Sequence, residues 1–184
     1  MSQQPDPHHE FHSHETGEPF VNCISCGLNL DDPELPFLVA KSFRGDECIF
    51  EYAICEQCRA NMAEEFSQES RQRLAGFFHQ RVDLDHRARL AVLGPGPAPW
   101  IAHCAACRKS RDEMDSFSIG GLLLGSEILF DPYPLCLCGQ CEEEIQEILS
   151  KETRDIWDDF VDTHFDGPPA HVLDLPIRGR PLVF

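Results

Sequence analysis

The chain has 184 residues, with 32 Asp and Glu against 15 Lys and Arg, so its formal net charge at pH 7 is −17. A negative field of this size repels phosphate backbones and anionic lipids, which argues against a general nucleic-acid or membrane-surface role. The sequence has no apolar run long enough to cross a membrane, and its N-terminus lacks the apolar stretch of a signal peptide. We therefore expect a cytoplasmic protein, in a reducing compartment where paired cysteines bind metal more often than they form disulfides.

Residues 1–18 form a polar, His-rich segment without apolar periodicity, and this composition predicts a disordered tail. The segment carries four histidines that could bind a transition metal loosely, namely His8, His9, His12 and His14. A solvated tail without a structural duty is the simpler interpretation, and it is the one we favour.

Two Cys-x-x-Cys pairs flank a β-prone region in the first half of the chain. The pairs are Cys23/Cys26 and Cys55/Cys58. Between them, residues 37–40 and residues 48–52 are short apolar runs separated by a turn that contains Gly45. Two β-prone runs with such a turn between them predict a β-hairpin.

A helix is predicted directly after the second cysteine pair. The segment from Arg59 to Ala75 contains neither Pro nor Gly and places apolar residues on one face, which predicts one helix that begins near Cys58. Residues 80–93 are charged and predict a helical extension. These elements together define a first module over residues 19–93.

The second half of the chain has the same organisation. A Pro- and Gly-rich linker at residues 94–99 precedes a second module, predicted over residues 100–165. Apolar residues at three- and four-residue intervals predict a helix from Cys141 to Phe165, and residues 166–184 predict an irregular, Pro-rich tail. The cysteine pairs of this module are Cys104/Cys107 and Cys138/Cys141.

An internal duplication relates the two halves. Residues 55–78 align without gaps on residues 138–161 at an offset of 83, and Ser67 faces Ser150 in this alignment. The first cysteine pairs match at an offset of 81. Two copies that keep the same four cysteines indicate that those side chains share one role in each copy.

Two Cys-x-x-Cys pairs supply the ligands of a structural zinc site, so the spacing predicts two zinc ions, each bound by the four cysteines of one copy. The turn that holds a Cys-x-x-Cys pair is called a zinc knuckle. The order of knuckle, hairpin, second knuckle and helix resembles a treble-clef zinc finger, present twice, over residues 20–80 and 100–165. This resemblance implies an α+β fold made of two duplicated small zinc-binding modules. It is a likeness of fold, and treble clefs serve many functions.

Two cysteines, Cys48 and Cys136, lie outside these pairs. Cys136 could replace Cys138 as a ligand, because the residues before it resemble those before the second pair of the first copy. The two-residue spacer and the ungapped alignment favour Cys138. We interpret both spare thiols as small buried residues rather than reactive groups. His103 adjoins Cys104 and could tune the metal or act as a ligand, but most histidines in such positions are only neighbours of the site.

The predicted function is binding rather than catalysis. Four cysteines close the shell of a zinc ion, and the sequence shows no nucleophile–base set or phosphate-binding loop, so we predict that the protein is not an enzyme. The acidic composition predicts a protein partner that presents a basic surface. The helix predicted from Cys141 to Phe165 carries nine acidic and two basic residues and is the expected contact.

Two other classes of function stay open. One is a nucleic-acid-binding zinc protein, and the other is a thiol-based sensor or enzyme. A nucleic-acid role would use clustered basic residues, which are Arg71, Arg73, Arg81, Arg87, Arg89, Arg108, Lys109 and Arg111. Acidic residues lie close to them in sequence, so ion pairing is the simpler interpretation.

Overall fold

The computed structural model describes residues 8–94, 96–130 and 133–165, so the predicted tail 166–184 lies outside the described residues. The strands are β1 (Pro36–Arg44), β2 (Glu47–Cys55), β3 (Ser116–Leu124), β4 (Glu127–Leu129) and β5 (Leu135–Cys138). The α-helices are α1 (Glu56–Glu65), α2 (Gln68–Arg81), α3 (Leu84–Leu90), α4 (Ala98–Ile101), α5 (Gly139–Ile148) and α6 (Lys151–His164). Short 3₁₀ turns cover His9–Phe11, Ala91–Leu93 and Arg111–Glu113. Within this described part of the chain, no helix is long and apolar enough to cross a membrane.

One antiparallel sheet contains these five strands in the order β2-β1-β3-β4, with β5 also pairing with β3. The hairpin predicted between the first two cysteine pairs is confirmed as β1 and β2, which turn at Gly45 with a φ of 55°. Each copy places its first cysteine pair before a set of antiparallel strands and its second pair at the junction between a strand and a helix. The predicted α+β class with duplicated modules is therefore confirmed.

The two copies share this sheet because β1 and β3, which occupy corresponding positions at an offset of 80, pair with each other. Ala40 lies opposite Gly120, and Ser42 lies opposite Ser118 with their hydroxyl oxygens 2.7 Å apart. When the two copies are exchanged at the offset of 80, each residue pair of this register becomes another pair of the same register, and Ala40 takes the place of Gly120. A local two-fold axis therefore passes between Ala40 and Gly120. The segment 94–99, predicted as a linker, joins two halves of one sheet, and α4 begins inside it.

The prediction of a single long helix after the second cysteine pair of each copy is wrong. Two residues separate α1 from α2, and two residues separate α5 from α6. A serine caps the second helix in each case. The side chain of Ser67 accepts a hydrogen bond from the backbone N–H of Ser70, and that of Ser150 accepts one from Thr153. A capping serine with an extended backbone favours a new helix start over the continuation of the old helix.

The disordered N-terminal tail is also a wrong prediction for residues 8–18, which pack on the sheet. Phe11 is only 1% exposed, and its ring occupies the space beside Gly121, where a Cβ atom would lie 2.5 Å from it. Lys41 of β1 is buried, and its ammonium donates to the His12 carbonyl at 2.6 Å. An apolar ring and a buried cation that needs oxygen partners together hold this segment in place.

The two faces of the sheet have different covers because successive side chains of a strand point to opposite faces. The N-terminal segment covers the face that carries Lys41 and Gly121. On the other face, Tyr52 of β2 contacts Phe160 and Trp157 of α6, with ring centroids 5.4 and 6.5 Å apart. The main core lies between this second face and the helices.

Candidate metal centres

The four cysteines of the first copy come together where the hairpin meets α1. Each of Cys23, Cys26, Cys55 and Cys58 offers a sulfur within 4.8 Å of the other three. The sulfurs of Cys26 and Cys55 are 3.9 Å apart. Cys26 is exposed, whereas Cys23 and Cys55 are buried, so the group opens to solvent on one side. A single ion at its centre would contact all four sulfurs.

Local backbone geometry explains how the first pair forms a knuckle. The N–H of Cys23 donates to the Leu28 carbonyl, and the N–H of Gly27 donates to the Cys23 carbonyl, both at 2.9 Å. Gly27 has a φ of 73°, in the left-handed region that glycine adopts without a steric cost. Cys55 ends β2, and α1 begins at the next residue, so the second pair spans a strand–helix junction.

The second copy builds the same arrangement from Cys104, Cys107, Cys138 and Cys141. Their sulfurs also lie within 4.8 Å of one another, and those of Cys107 and Cys138 are 3.6 Å apart. Cys107 is exposed, as its counterpart in the first copy is, and the other three are buried. The structure therefore brings together the eight cysteines of the predicted pairs as two groups of four, each drawn from one copy.

The second knuckle contains a residue in an unusual backbone conformation that sequence reasoning missed. Arg108 stands where the first copy has Gly27, and it adopts a left-handed φ of 67°. Its N–H donates to the Cys104 carbonyl at 3.0 Å, which keeps the turn of the first copy. This conformation costs a residue other than glycine about 1 kcal/mol. The turn geometry is thus retained although the glycine is not.

The structure places Cys138, and not Cys136, with the other three sulfurs of the second group. Cys136 lies inside β5, opposite Ile119, and is fully buried. Its carbonyl accepts the N–H of Ala105 at 2.7 Å, as the carbonyl of Ala53 accepts that of Ile24 at 2.8 Å in the first copy. Cys136 is therefore the counterpart of Ala53, and burial raises its pKa well above the usual thiol range.

Cys48, the other unpaired cysteine, also lies away from both groups. It is half-buried in β2, opposite Phe43. Burial, together with the nearby carboxylate of Glu51, raises the pKa of Cys48 to about 12. A thiol with so high a pKa is a poor nucleophile at neutral pH because it remains protonated.

Each group of four holds one sulfur that is predisposed to carry negative charge. The backbone N–H of Cys55 donates to the Cys23 sulfur at 3.3 Å, and that of Cys138 donates to the Cys104 sulfur at 3.4 Å. Burial raises the pKa of Cys23, but backbone N–H donors outweigh it and lower the pKa to about 7. For Cys104, a hydrogen bond from the Cys141 thiol is the main cause of a pKa lowered to about 4.

The partners of these two sulfurs keep their protons more firmly. Burial raises the pKa of Cys58 to about 12 and that of Cys138 to about 11. The hydrogen bond to Cys104, followed by burial, also raises the pKa of Cys141. Without a metal, each group thus holds one sulfur with a lowered pKa beside two thiols with raised pKa values, and a cation that binds there must displace protons.

Histidines take no part in either group. Within residues 8–94, 96–130 and 133–165, the clusters of metal-ligating side chains are these two sets of cysteines. His103 adjoins Cys104 but forms a backbone bridge with Ser110. Among the histidines of the N-terminal segment, His14 packs its ring against Phe43 at 5.9 Å, so it contributes to packing.

The geometry of both groups fits a tetrahedral metal ion. Zinc–sulfur bonds of about 2.3 Å place the sulfurs of a tetrahedral site roughly 3.8 Å apart. The Cys26–Cys55 sulfur distance of 3.9 Å and the Cys107–Cys138 sulfur distance of 3.6 Å lie on either side of that value, and all sulfurs of a group lie within 4.8 Å of one another. The chain therefore contains two cysteine sites that could each hold a metal ion, arranged as tandem zinc-binding modules are.

Comparison of the chain with protein-family models, with curated proteins and with solved structures gives no match.

Proposed function

We propose that the protein is a non-catalytic binding protein, stabilised by two structural zinc ions, whose acidic surface recognises a basic protein partner. The observation that carries this proposal is the pair of four-cysteine groups. Thiolates suit zinc among the divalent metals of the cell, and four protein ligands fill its usual coordination shell. A filled shell leaves no position at which water or a substrate could be activated, which supports a structural role for both ions.

The charge of the metal-loaded protein supports an electrostatic mode of binding. Four thiolates and one Zn²⁺ contribute −2 at each site, so two sites change the formal charge from −17 to about −21. A net charge of this sign and size speeds association with a positively charged surface.

Helix α6 concentrates this charge on its solvent-facing side. Its exposed acidic residues recur at helical spacing and form what we call the α6 acidic stripe, which consists of Glu152, Asp155, Asp158, Asp159 and Asp162. Lys151 pairs with Asp155 at 2.5 Å, and the other basic residue of the helix, Arg154, donates to the backbone carbonyl of Gln146. The stripe therefore presents a net negative face to a partner.

Four of the eight basic residues that a nucleic-acid role would need form ion pairs with acids. Arg73 pairs with Glu69 at 2.5 Å, Arg108 with Asp83 at 3.0 Å, and Arg111 with Glu10 at 3.5 Å. Arg81 pairs with Glu144. Arg87 is buried, with its guanidinium 4.9 Å from the centre of the Trp100 ring. Phosphates would have to compete with these contacts, so the arrangement favours a protein partner over nucleic acid.

Affinity capture with matched charge variants tests this proposal. Tagged, zinc-loaded protein is used to capture proteins from its native cells at about 0.05 and 0.15 M salt, followed by mass spectrometry. We expect a basic protein that is captured more strongly at the lower salt. The variant Glu152→Gln/Asp155→Asn/Asp159→Asn should lose it, because the neutralised positions lie on the α6 acidic stripe.

The control removes two negative charges from another helix. Glu64 and Glu65 are exposed on α1, so Glu64→Gln/Glu65→Gln should retain the partner. Equal loss in both variants would show that net charge, and not the stripe, is recognised. Submicromolar binding of duplex DNA or single-stranded RNA at 0.15 M salt, without a protein partner, would instead favour the nucleic-acid class.

A further inference from the structure

An open cleft, which we call the turn cleft, lies between the β1–β2 turn and the 3₁₀ turn Arg111–Glu113. Its volume is about 400 Å³. Phe43 and Phe117 line it, with their rings stacked at a centroid distance of 4.9 Å, and the carboxylates of Asp46 and Asp112 line it as well. Ligand sites in proteins commonly have volumes of about 300–1,000 Å³, so this cleft has room for one long side chain and its neighbours.

The corresponding place on the other side of the two-fold axis is more tightly packed at its turn glycine. Gly125 of the β3–β4 turn corresponds to Gly45, and Pro33 corresponds to Met114. A Cβ atom on Gly125 would contact Pro33 Cα at 3.7 Å, whereas one on Gly45 would meet no atom within 4 Å. The surroundings of the turn glycine therefore differ between the copies, and the turn cleft lies beside the more open one.

The lining of the turn cleft is negatively charged. Glu10 pairs with Arg111 at 3.5 Å, and both line the cleft. Asp46 and Asp112 are exposed, and neither has an ion-pair partner among the residues that the structure describes. Three carboxylates and one guanidinium leave the lining at −2. This charge attracts a cation and repels a phosphate or a carboxylate.

Cations of the chain itself already use the two aromatic rings of the cleft. The guanidinium carbon of Arg111 lies 5.6 Å from the Phe117 ring centre, and the ammonium of Lys41 lies 5.7 Å from that of Phe43. Each of these cations also contacts a carboxylate. A long basic side chain can pack its methylene stem on an aromatic wall while its charged end reaches an acid. A ligand with that chemistry matches the volume and the negative charge of the cleft.

We propose that the turn cleft binds a lysine or arginine side chain of a protein partner, with Asp46 and Asp112 as the charged contacts. Phe43 and Phe117 lie on the sheet face opposite the one that α6 covers, because their positions alternate with those of Ala40 and Ser42. The cleft is thus a second contact, beyond the α6 acidic stripe. It would anchor one side chain, whereas the stripe attracts a basic surface as a whole.

Titration of the zinc-loaded protein with short peptides tests the turn cleft without the protein partner itself. The probes are acetyl-Gly-Arg-Gly-amide, its Lys analogue and its neutral Gln analogue, and the readout is the backbone amide NMR spectrum. We expect the Arg and Lys peptides to shift the amides of Gly45 and Asp46, with a dissociation constant on the order of 1 mM. The Gln peptide should cause no saturable shift, because it offers no cation.

Matched variants decide whether the carboxylates recognise the charge. Asp46→Asn and Asp112→Asn should each raise the dissociation constant of the Arg peptide about fivefold, as expected for the loss of one exposed ion pair. Glu113→Gln, an exposed neighbour that does not line the cleft, should bind as the unmodified protein does. Equal binding of the Gln peptide, or unchanged binding by both Asp variants, would overturn the proposal. The proposed function is tested separately by the capture experiment. If the α6 variant loses the captured partner and its control does not, the proposed function stands even when the turn cleft binds no basic side chain.

Discussion

The hydroxyl oxygens of Ser67 and Ser150 lie 3.0 Å apart, so the caps of α2 and α6 meet at the two-fold axis. The N–H of Ser67 donates to the hydroxyl of Thr153 at 3.1 Å, and the N–H of Ser150 donates to the hydroxyl of Ser70 at 2.9 Å. In each copy, the backbone N–H of the capping serine thus donates to a hydroxyl of the other copy. The four side chains form one network that connects the helices of the two copies, away from both cysteine groups.

Substitutions in this hydroxyl network should be strongly coupled. Ser67→Ala and Ser150→Ala should each lower the free energy of unfolding by about 1–2 kcal/mol, because each removes a cap and an inter-copy contact. The double variant should cost less than the sum, since either substitution alone breaks the shared contact. Urea unfolding of the four proteins measures the coupling. Thr163→Ala, exposed near the end of α6, should change stability by less than about 0.5 kcal/mol. Additive costs would mean that the two caps act independently.

The contact between Phe11 and Gly121 predicts a second coupled pair. Gly121→Ala should be destabilising, because its Cβ would lie 2.5 Å from the Phe11 ring. Phe11→Ala should cost about 3 kcal/mol through the lost burial of the ring. In the Phe11→Ala background, Gly121→Ala should become neutral or stabilising, because alanine suits a strand better than glycine does. Denaturant unfolding of the single and double variants tests this reversal, and an unchanged cost of Gly121→Ala would contradict it.

Metal analysis should find two zinc ions per chain, each lost with its own cysteines. Cys55→Ala should reduce the content to about one and destabilise the chain, and Cys138→Ala should do the same at the other site. Cys136→Ala is the matched control, because it removes a buried sulfur next to the second group without touching the group itself. Elemental analysis of the purified variants provides the counts. Loss of one zinc in Cys136→Ala, with two retained in Cys138→Ala, would reverse the assignment of the ligand.

Zinc binding to the metal-free protein should release protons. Burial raises the pKa of Cys58 to about 12 and of Cys138 to about 11, so these thiols are protonated near neutral pH until a metal displaces their protons. The pKa of Cys55 is also raised in the first group, and that of Cys141 in the second, so each site has two such thiols. Two protons released for each ion should lower the affinity about 100-fold from pH 7 to pH 6. An indicator dye in weak buffer measures the protons, and competition with a zinc chelator at the two pH values measures the affinity. Binding without proton release would show that the thiols are already ionised.

The eight cysteines of the two groups and the β1–β2 hairpin were predictable from the sequence, because both follow from local spacing. Ser67 and Ser150 already carried the signal for the helix breaks, since each precedes a helical segment and has a hydroxyl residue three positions later. The absence of Pro and Gly favours one continuous helix but does not exclude a new helix start at a capping serine. The left-handed Arg108 had no such signal, because residues other than glycine rarely adopt that conformation.

The arrangement of the copies was not predictable from local patterns. The pairing of β1 with β3 joins residues about eighty positions apart, and alternation of side chains within a strand does not identify its neighbour. The burial of Phe11 has the same cause, because its site is created by Gly121 in the other copy. The turn cleft was not predictable either, because it depends on a difference between the copies, which have Met114 and Pro33 at equivalent positions.

The pairing of Ala40 with Gly120 has a consequence for how this protein responds to dilution. A separate half would leave the edge of its central strand exposed until it met a second copy, so its folding would depend on protein concentration as that of an obligate dimer does. On one chain, the partner strand is present at a high effective concentration fixed by the intervening residues. The thermal midpoint of the intact protein should therefore stay constant from nanomolar to micromolar concentrations, and the two strands at the centre of the sheet should remain paired at whatever abundance the cell maintains.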